Sequence, residues 1–277
     1  MTENKFPVQP GSLPDSQPES CPGGSRRLPP APAPNWALFL DIDGTLLDIA
    51  ARPDEVAVPP VLRRHLAAVQ QALDGALALI SGRPIIEIDR LFDPLRLAAS
   101  GQHGSEWRRG PQQMTEVVAR HPVPEPLRRL AEDLKQLDPA IVVEQKTHAL
   151  AVHYRHAPAL GAVLGERLKA ALADHRHLVL LHGRQVWEVK DASQSKGTAV
   201  RHFMAEPRFA GRLPVFIGDD TTDIDGFRAV EAMGGMALPV GPAVHGAVHP
   251  ERPGFADAAA VRRWLGDYAR LVDGAAA

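Results

Sequence analysis

Hydrophobic and polar positions divide the chain into short blocks of two kinds. WALFL at 36–40, LALI at 77–80 and PVFIG at 214–218 are unbroken apolar runs that stop at polar residues, as buried parallel strands do where they empty into loops. LRLAAS at 95–100 reads as a further strand. Between them, PPVLRRHLAAVQQAL and PIIEIDRLFDP carry apolar residues at helical spacing behind prolines, which favour a first helical turn. Strand, helix, strand, helix in units this short predicts an α/β fold with a Rossmann-like parallel sheet and helices on both faces.

The middle of the chain has a different rhythm. EPLRRLAEDLKQL reads as a helix followed by strands IVVEQKT and LAVHYRH; PALGAVLGERLKAALADH reads as a helix followed by strands LVLLHGR and QVWEVKD. Two helix-plus-hairpin units make a small α/β layer of their own. The first rhythm then returns with a helix at SKGTAVRHFMAE, the strand PVFIGDD, a helix at TDIDGFRAVEAM and a strand at GGMALPVG. The pattern therefore predicts a core of residues 35–107 and 189–277, interrupted by an inserted cap domain at 108–188. Residues 1–34 hold nine prolines among Ser, Gly and Gln and read as a disordered tail, which cannot bury enough apolar surface to offset its ordering entropy.

Composition narrows the partners. With 31 Lys plus Arg against 33 Asp plus Glu among 277 residues, there is no basic field to draw nucleic acid. No apolar run reaches the roughly 18 residues of a membrane span, and the N-terminus lacks a basic region followed by an apolar stretch. The single cysteine, Cys21, excludes an internal disulfide and fits a reducing compartment, so the expectation is a soluble cytoplasmic protein acting on a small molecule. The pattern fixes no oligomeric state.

Candidate chemistry lies at the strand ends. Asp41 and Asp43 follow LFL, Ser81 follows LALI, Asp219 and Asp220 follow PVFIG, and Lys196 opens a helix. In an open parallel sheet the carboxyl ends of the strands form the ligand crevice, so these residues are expected to converge. Crowded carboxylates need neutralising cations. Oxygen donors without cysteine or an HExxH-like histidine pair suit Mg²⁺, which takes one or two carboxylates plus a substrate phosphate. Metal, lysine, hydroxyl and spare carboxylate together suit phosphoryl transfer: one carboxylate attacks phosphorus and another, two residues on, protonates the leaving alcohol and then activates water.

DIDGT at 41–45, SGR at 81–83, the helix start at Lys196 and GDDTTD at 218–223 resemble, in order, the four motifs of the haloacid dehalogenase superfamily of phosphatases. The resemblance implies Asp41 as nucleophile and metal ligand, and Asp43 as acid/base with its backbone carbonyl on Mg²⁺. Thr45 and Ser81 would hold the phosphoryl oxygens, Lys196 the phosphate and nucleophile, and Asp219 would complete the metal site, with Asp220 and Asp223 behind it. Within that superfamily, SGQHGSEWR, VVEQKTHALAVHYRHAP, QVWEVKDASQSKGTAV and FIGDDTTDIDGF resemble trehalose-6-phosphate phosphatases. Ile224 departs from the acidic residue that often follows the TD pair there, and Asp225 comes next. The implied activity is hydrolysis of trehalose 6-phosphate through an aspartyl-phosphate, with sucrose 6-phosphate or a mannosylglycerate phosphate as the nearest alternative substrates.

Substrate choice falls to the insert. EQK, HYR and VWEVK put Glu144, Lys146, Arg155, Glu188 and Lys190 on neighbouring strands, and mixed acids and bases suit sugar hydroxyls, which both donate and accept. The resemblance assigns these residues the grip on the distal glucose, with Arg83 also facing substrate. His103 and Glu106 sit where core crosses to insert and read equally as substrate contacts or as a turn. His148, His153 and His156 read as structural rather than as a metal cluster, and Trp107 and Trp187 as packing residues. Closure of the insert over the core is expected to pivot near 106 and 190. Two other classes compete: a serine acyl enzyme, from the S-x-x-K pattern of Ser193 to Lys196, and a non-catalytic sugar-phosphate sensor, which would lack Asp41 or Asp43.

Overall fold

The computed structural model describes residues 28–49, 56–146, 148–183, 185–241 and 253–275. In chain order, β1 (Trp36–Leu40), α1 (Pro60–Ala72), β2 (Leu77–Ile80), α2 (Ile85–Phe92) and β3 (Ala98–Gly101) come first. β4 (Glu106–Arg108) and β5 (Glu116–Val117) follow. The middle contributes α3 (Glu125–Leu134), β6 (Val142–Gln145), β7 (Ala149–His153), α4 (Gly161–Ala171), β8 (Leu178–Gly183) and β9 (Val186–Asp191). The chain then runs through α5 (Lys196–Met204), β10 (Leu213–Gly218), α6 (Ile224–Ala232), β11 (Met236–Pro239) and α7 (Ala258–Ala275).

Two sheets result. The larger has the order β11-β10-β1-β2-β3-β4-β5, parallel except where β4 and β5 turn back along the β3 edge. From β1 the chain winds towards β3, and after its excursion it returns to the other side of β1 as β10. The strand order therefore reverses between β1 and β10, the topological switch point at which open sheets bind ligands. Both strands are buried along almost their whole length, as unbroken apolar runs require.

The smaller sheet is antiparallel, in the order β6-β7-β9-β8. One face packs with α3 and α4 into a second apolar cluster that includes Leu127, Leu150, Val152, Leu164, Leu168 and Val189. Register places Glu144, Ala151, Glu188 and Leu181 in one row across all four strands, on the face that the apolar cluster leaves clear.

Three features differ from the sequence pattern. β4 and β5 pair with the large sheet and β9 continues the small one to Asp191, so the change of sheet falls after 117 and after 191 rather than at 108 and 188. Both shifts follow from edge pairing, which apolar periodicity does not report. At the end of the proline-rich stretch, Pro29 and Pro32 are buried, Pro30 accepts a hydrogen bond from Trp264 Nε1 at 3.1 Å and Pro34 one from Arg212 at 2.7 Å. Residues 28–34 are thus docked; residues 1–27 of the expected tail lie outside the described residues. The amphipathic α7, unread in the sequence, packs along α1 and puts Trp264 6.3 Å from Trp36.

Helix α5 carries Lys196 in its first turn, and what seats it is aromatic packing. Phe203 is fully buried, 6.0 Å from Phe39 on β1 and 5.2 Å from Phe209, ring centre to ring centre. Ser195 caps the helix, its hydroxyl accepting from the Thr198 N–H at 3.2 Å. We expect Phe203→Ala to lower the unfolding free energy by about 3–5 kcal/mol, measured by urea denaturation, because the fully buried ring leaves a cavity between β1 and α5.

Candidate active site

Asp41 leaves the end of β1 and Asp219 the end of neighbouring β10, and the Asp41 N–H is held by Ile217 O at 3.0 Å. The turn between Asp43 and Thr45 brings the two together. Gly44 has φ +86°, and a Cβ there would lie 2.1 Å from Asp219 Oδ2, so only glycine allows the carboxylate to approach the turn. Thr45, fully buried, donates its hydroxyl to Asp219 Oδ1 at 3.2 Å.

Lys196 enters from α5 and bridges two carboxylates, with Nζ 2.7 Å from Asp41 Oδ1 and 2.6 Å from Asp223 Oδ1. Asp223 uses its other oxygen to accept from the backbone N–H groups of Asp219 (3.0 Å) and Asp220 (2.9 Å), so it shapes the loop that presents Asp219. Asp220 caps the following turn, accepting from the Thr221 N–H at 2.7 Å. Oxygens of Asp41, Asp219 and Asp223 lie within 4.8 Å of one another.

The electrostatics follow from burial and crowding. Burial pushes Asp41 up to about 7; Lys196 draws it down, and Asp223 and Asp43 push it back up. Asp219 is likewise pushed to about 7 by burial and by the Asp41 charge. Burial also raises Asp223, against the pull of Lys196. Burial opposes the Lys196 charge, but Asp223 and Asp41 outweigh it and hold the ammonium well above its ordinary value. One lysine does not neutralise two buried carboxylates and the half-buried Asp219.

Asp43 is turned away from this cluster. Arg83 clasps it through Nε and a terminal nitrogen, each at 2.7 Å, while the Arg83 N–H donates to the Ser81 hydroxyl at 3.2 Å. Above lies the charged row of the small sheet. Lys146 Nζ donates to Gly82 O at 3.0 Å and pairs with Glu188 at 3.3 Å and Glu144 at 3.8 Å; Glu188 meets His103 Nε2 at 2.6 Å, and Glu144 meets His153 at 3.1 Å. Burial lowers His103 below the ordinary imidazole value, so the neutral ring donates from Nε2 to Glu188. Burial opposes the Glu188 charge, yet His103 and Lys146 hold that carboxylate far below its usual range.

The structure thus gathers Asp41, Thr45, Lys196, Asp219 and Asp223, with Ser81, Asp43 and Arg83 beside them and Glu144, Lys146 and Glu188 opposite. Two expected members of the grip sit at its margin. Lys190 donates to the backbone carbonyls of Asp191, at 3.2 Å, and Gln194, because the strand ends one residue later and the return loop folds under it. Arg155 lies in the turn beyond β7, since the strand stops at His153.

His103 is the member that sequence reading left undecided. Gln102, His103 and Gly104 all have positive φ (47°, 52° and 102°), and this left-handed run aims the imidazole at Glu188. The glycine of SGQHG is its only local signal. The S-x-x-K reading fails on geometry: the Ser193 hydroxyl donates to Asp191 at 2.7 Å while Lys196 is committed to Asp41 and Asp223. His156 is exposed and His153 pairs with Glu144 at 3.1 Å. Trp107 packs against Phe203, 6.4 Å between centres, and Trp187 donates to Gly161 O at 2.7 Å.

A parallel sheet with this aspartate and lysine rim, faced by a small antiparallel sheet, defines the class as a phosphatase with the haloacid dehalogenase fold. A solved C. albicans trehalose-6-phosphate phosphatase C-terminal domain superposes with TM-score 0.74 at 21% identity, covering 85% of this chain and 92% of that one. The trehalose-phosphatase family matches residues 39–256, and the chain belongs to that family. It is 41% identical over 211 residues to a probable trehalose-phosphate phosphatase of Sinorhizobium fredii, covering 76% of this chain and 79% of that protein. It is 39% identical to the trehalose-6-phosphate phosphatase of Escherichia coli, covering 74% and 77%.

Removing the bridging cation should be costly. We expect Lys196→Met to destabilise the fold by about 3–5 kcal/mol in chemical denaturation at neutral pH, because it strands the buried Asp41 and Asp223 carboxylates.

Proposed function

We propose that the protein hydrolyses the phosphate monoester of trehalose 6-phosphate, releasing trehalose and phosphate, with a divalent cation of the Mg²⁺ type at the aspartate cluster. The observation that carries this reading is the convergence of Asp41, Asp219 and Lys196 at the switch point directly beneath the Glu144, Lys146, Glu188 and His103 array. Family membership supports the disaccharide phosphate as substrate.

The donor set fits a hard cation. Asp223 spends both oxygens on Lys196 and the loop N–H groups, which leaves Asp41 and Asp219, with the Asp43 backbone carbonyl, as the ligands we assign. When bound, the cation supplies charge neutralisation at the transferring phosphoryl group.

The chain's own residues do the rest. Thr45, Ser81 and Lys196 surround the phosphoryl oxygens. Asp41 attacks phosphorus through its carboxylate; the bond from phosphorus to the sugar oxygen breaks, and Asp43, protonated, gives its proton to the departing alkoxide. Asp43 then takes a proton from water, whose oxygen attacks phosphorus and breaks its bond to Asp41. In the free protein Asp43 is held by Arg83, so substrate must draw Arg83 aside before Asp43 can serve. Asp220 and Asp223 hold the loop behind Asp219.

Glu144, Lys146 and Glu188 meet sugar hydroxyls, with Arg155 and Lys190 at the margin of that face. A cavity of about 570 Å³ lined by His103, Lys190, Lys196 and Asp225 adjoins this site without including Asp41, Asp219, Glu144 or Glu188. In this reading residues up to 117 and beyond 191 form the catalytic core, and the segment between is a cap that closes over bound substrate. Among the described residues no helix is long and apolar enough to cross a membrane.

Phosphate release from a panel of disaccharide phosphates tests the assignment. Trehalose 6-phosphate should outperform sucrose 6-phosphate and a mannosylglycerate phosphate by about tenfold or more, because a mismatched sugar leaves polar groups of the site unpaired at about 1–3 kcal/mol each. A reversed order would overturn the substrate. Asp41→Asn should leave no measurable turnover with the fold intact by circular dichroism. Chelation should abolish activity and Mg²⁺ restore it.

A further inference from the structure

Asp191, the last residue of β9, is fully buried and accepts four hydrogen bonds. Oδ2 takes the backbone N–H groups of Arg120 at 2.8 Å and His121 at 3.0 Å; Oδ1 takes the N–H and the hydroxyl of Ser193 at 2.9 and 2.7 Å. Arg120 and His121 lie on the outward crossover, where the chain leaves β5 for α3, and Ser193 lies on the return crossover between β9 and α5. Among the described residues, these two crossovers are the covalent links between the sheets. One carboxylate therefore joins both.

Neighbouring bonds extend the junction to the catalytic side. The outward crossover is anchored to the core by the N–H groups of Val118 (2.9 Å) and Ala119 (3.2 Å), both donating to Ser105 O. The return crossover carries the Lys190 ammonium on the carbonyls of Asp191 and Gln194, immediately before the Ser195 cap that starts α5. Glu188 stands three residues before Asp191 and Lys196 five after it. The return crossover thus links the strand that carries Glu188 directly to the helix that carries Lys196.

Resting on the phosphatase reading above, we propose that Asp191 is a positioning residue: its carboxylate ties the two crossovers into one hinge, so that the small sheet seats its sugar-facing side chains over the catalytic rim as a single body. Charge and shape are both needed. An amide in its place presents one acceptor and turns N–H donors towards N–H donors.

Asp191→Asn tests this with two substrates. For trehalose 6-phosphate, kcat/KM should fall by about tenfold or more, mainly through KM, as expected for losing buried charge-assisted hydrogen bonds. For p-nitrophenyl phosphate, which carries no sugar for the small sheet to grip, kcat/KM should change by less than about threefold. Equal losses on both substrates, or none on either, would overturn the proposal. Hydrogen exchange of the Arg120, His121 and Ser193 amides should accelerate in the variant, and unchanged protection there also overturns it, whatever the substrate. If Asp191→Asn does not fold, Ser193→Ala removes one donor and should show the same KM-weighted selectivity at about threefold; its absence would be equally decisive. Wild-type protein that cleaves p-nitrophenyl phosphate but not trehalose 6-phosphate would refute the substrate reading and leave the hinge to the exchange data.

Discussion

Three carboxylates meet where β1 and β10 end side by side, in a site from which water is largely excluded. A lysine ammonium, 2.7 Å from Asp41 and 2.6 Å from Asp223, is what makes that crowding tolerable. It does so incompletely: Asp41 and Asp219 are still pushed up to about 7, mainly by burial. A centre short of positive charge in this way is a receptor for cations and, through them, for a phosphate. The same deficit that would destabilise an ordinary core is the source of its chemistry.

Placing one ammonium between two carboxylates demands that α5, β1 and the loop after β10 hold fixed relative positions. The aromatic contacts of Phe39, Phe203 and Phe209 fix α5 on the sheet, and Asp223 fixes the loop through two backbone N–H groups. Gly44 then lets the β1 turn approach Asp219 closely. Packing, capping and backbone conformation thus converge on a single point.

The small sheet solves a different problem. Its charged row faces the catalytic rim already paired, Glu188 with His103 and Lys146, Glu144 with Lys146 and His153. Such pairs satisfy charges that would otherwise be left unpartnered between the sheets. The row places the small Ala151 between Glu144 and Glu188, on neighbouring strands. The Asp191 junction couples that surface to the core.

The strand-end carboxylates, Ser81 and Lys196 were legible in the chain because each follows or opens a strongly patterned element, and a parallel sheet gathers strand ends by its own geometry. The separate strands and helices of the middle stretch were legible for the same reason, as a change of rhythm, and they form the second sheet. Pairwise engagement was not. That Arg83 clasps Asp43, that Lys190 turns to backbone carbonyls, that His103 reaches Glu188 across a left-handed turn, and that Asp191 holds residues 71 and 70 positions away are outcomes of three-dimensional packing. Periodicity reports which face of an element is buried; it carries no information about which polar group on another element will lie within 3 Å, because side-chain direction is decided only when the layers meet.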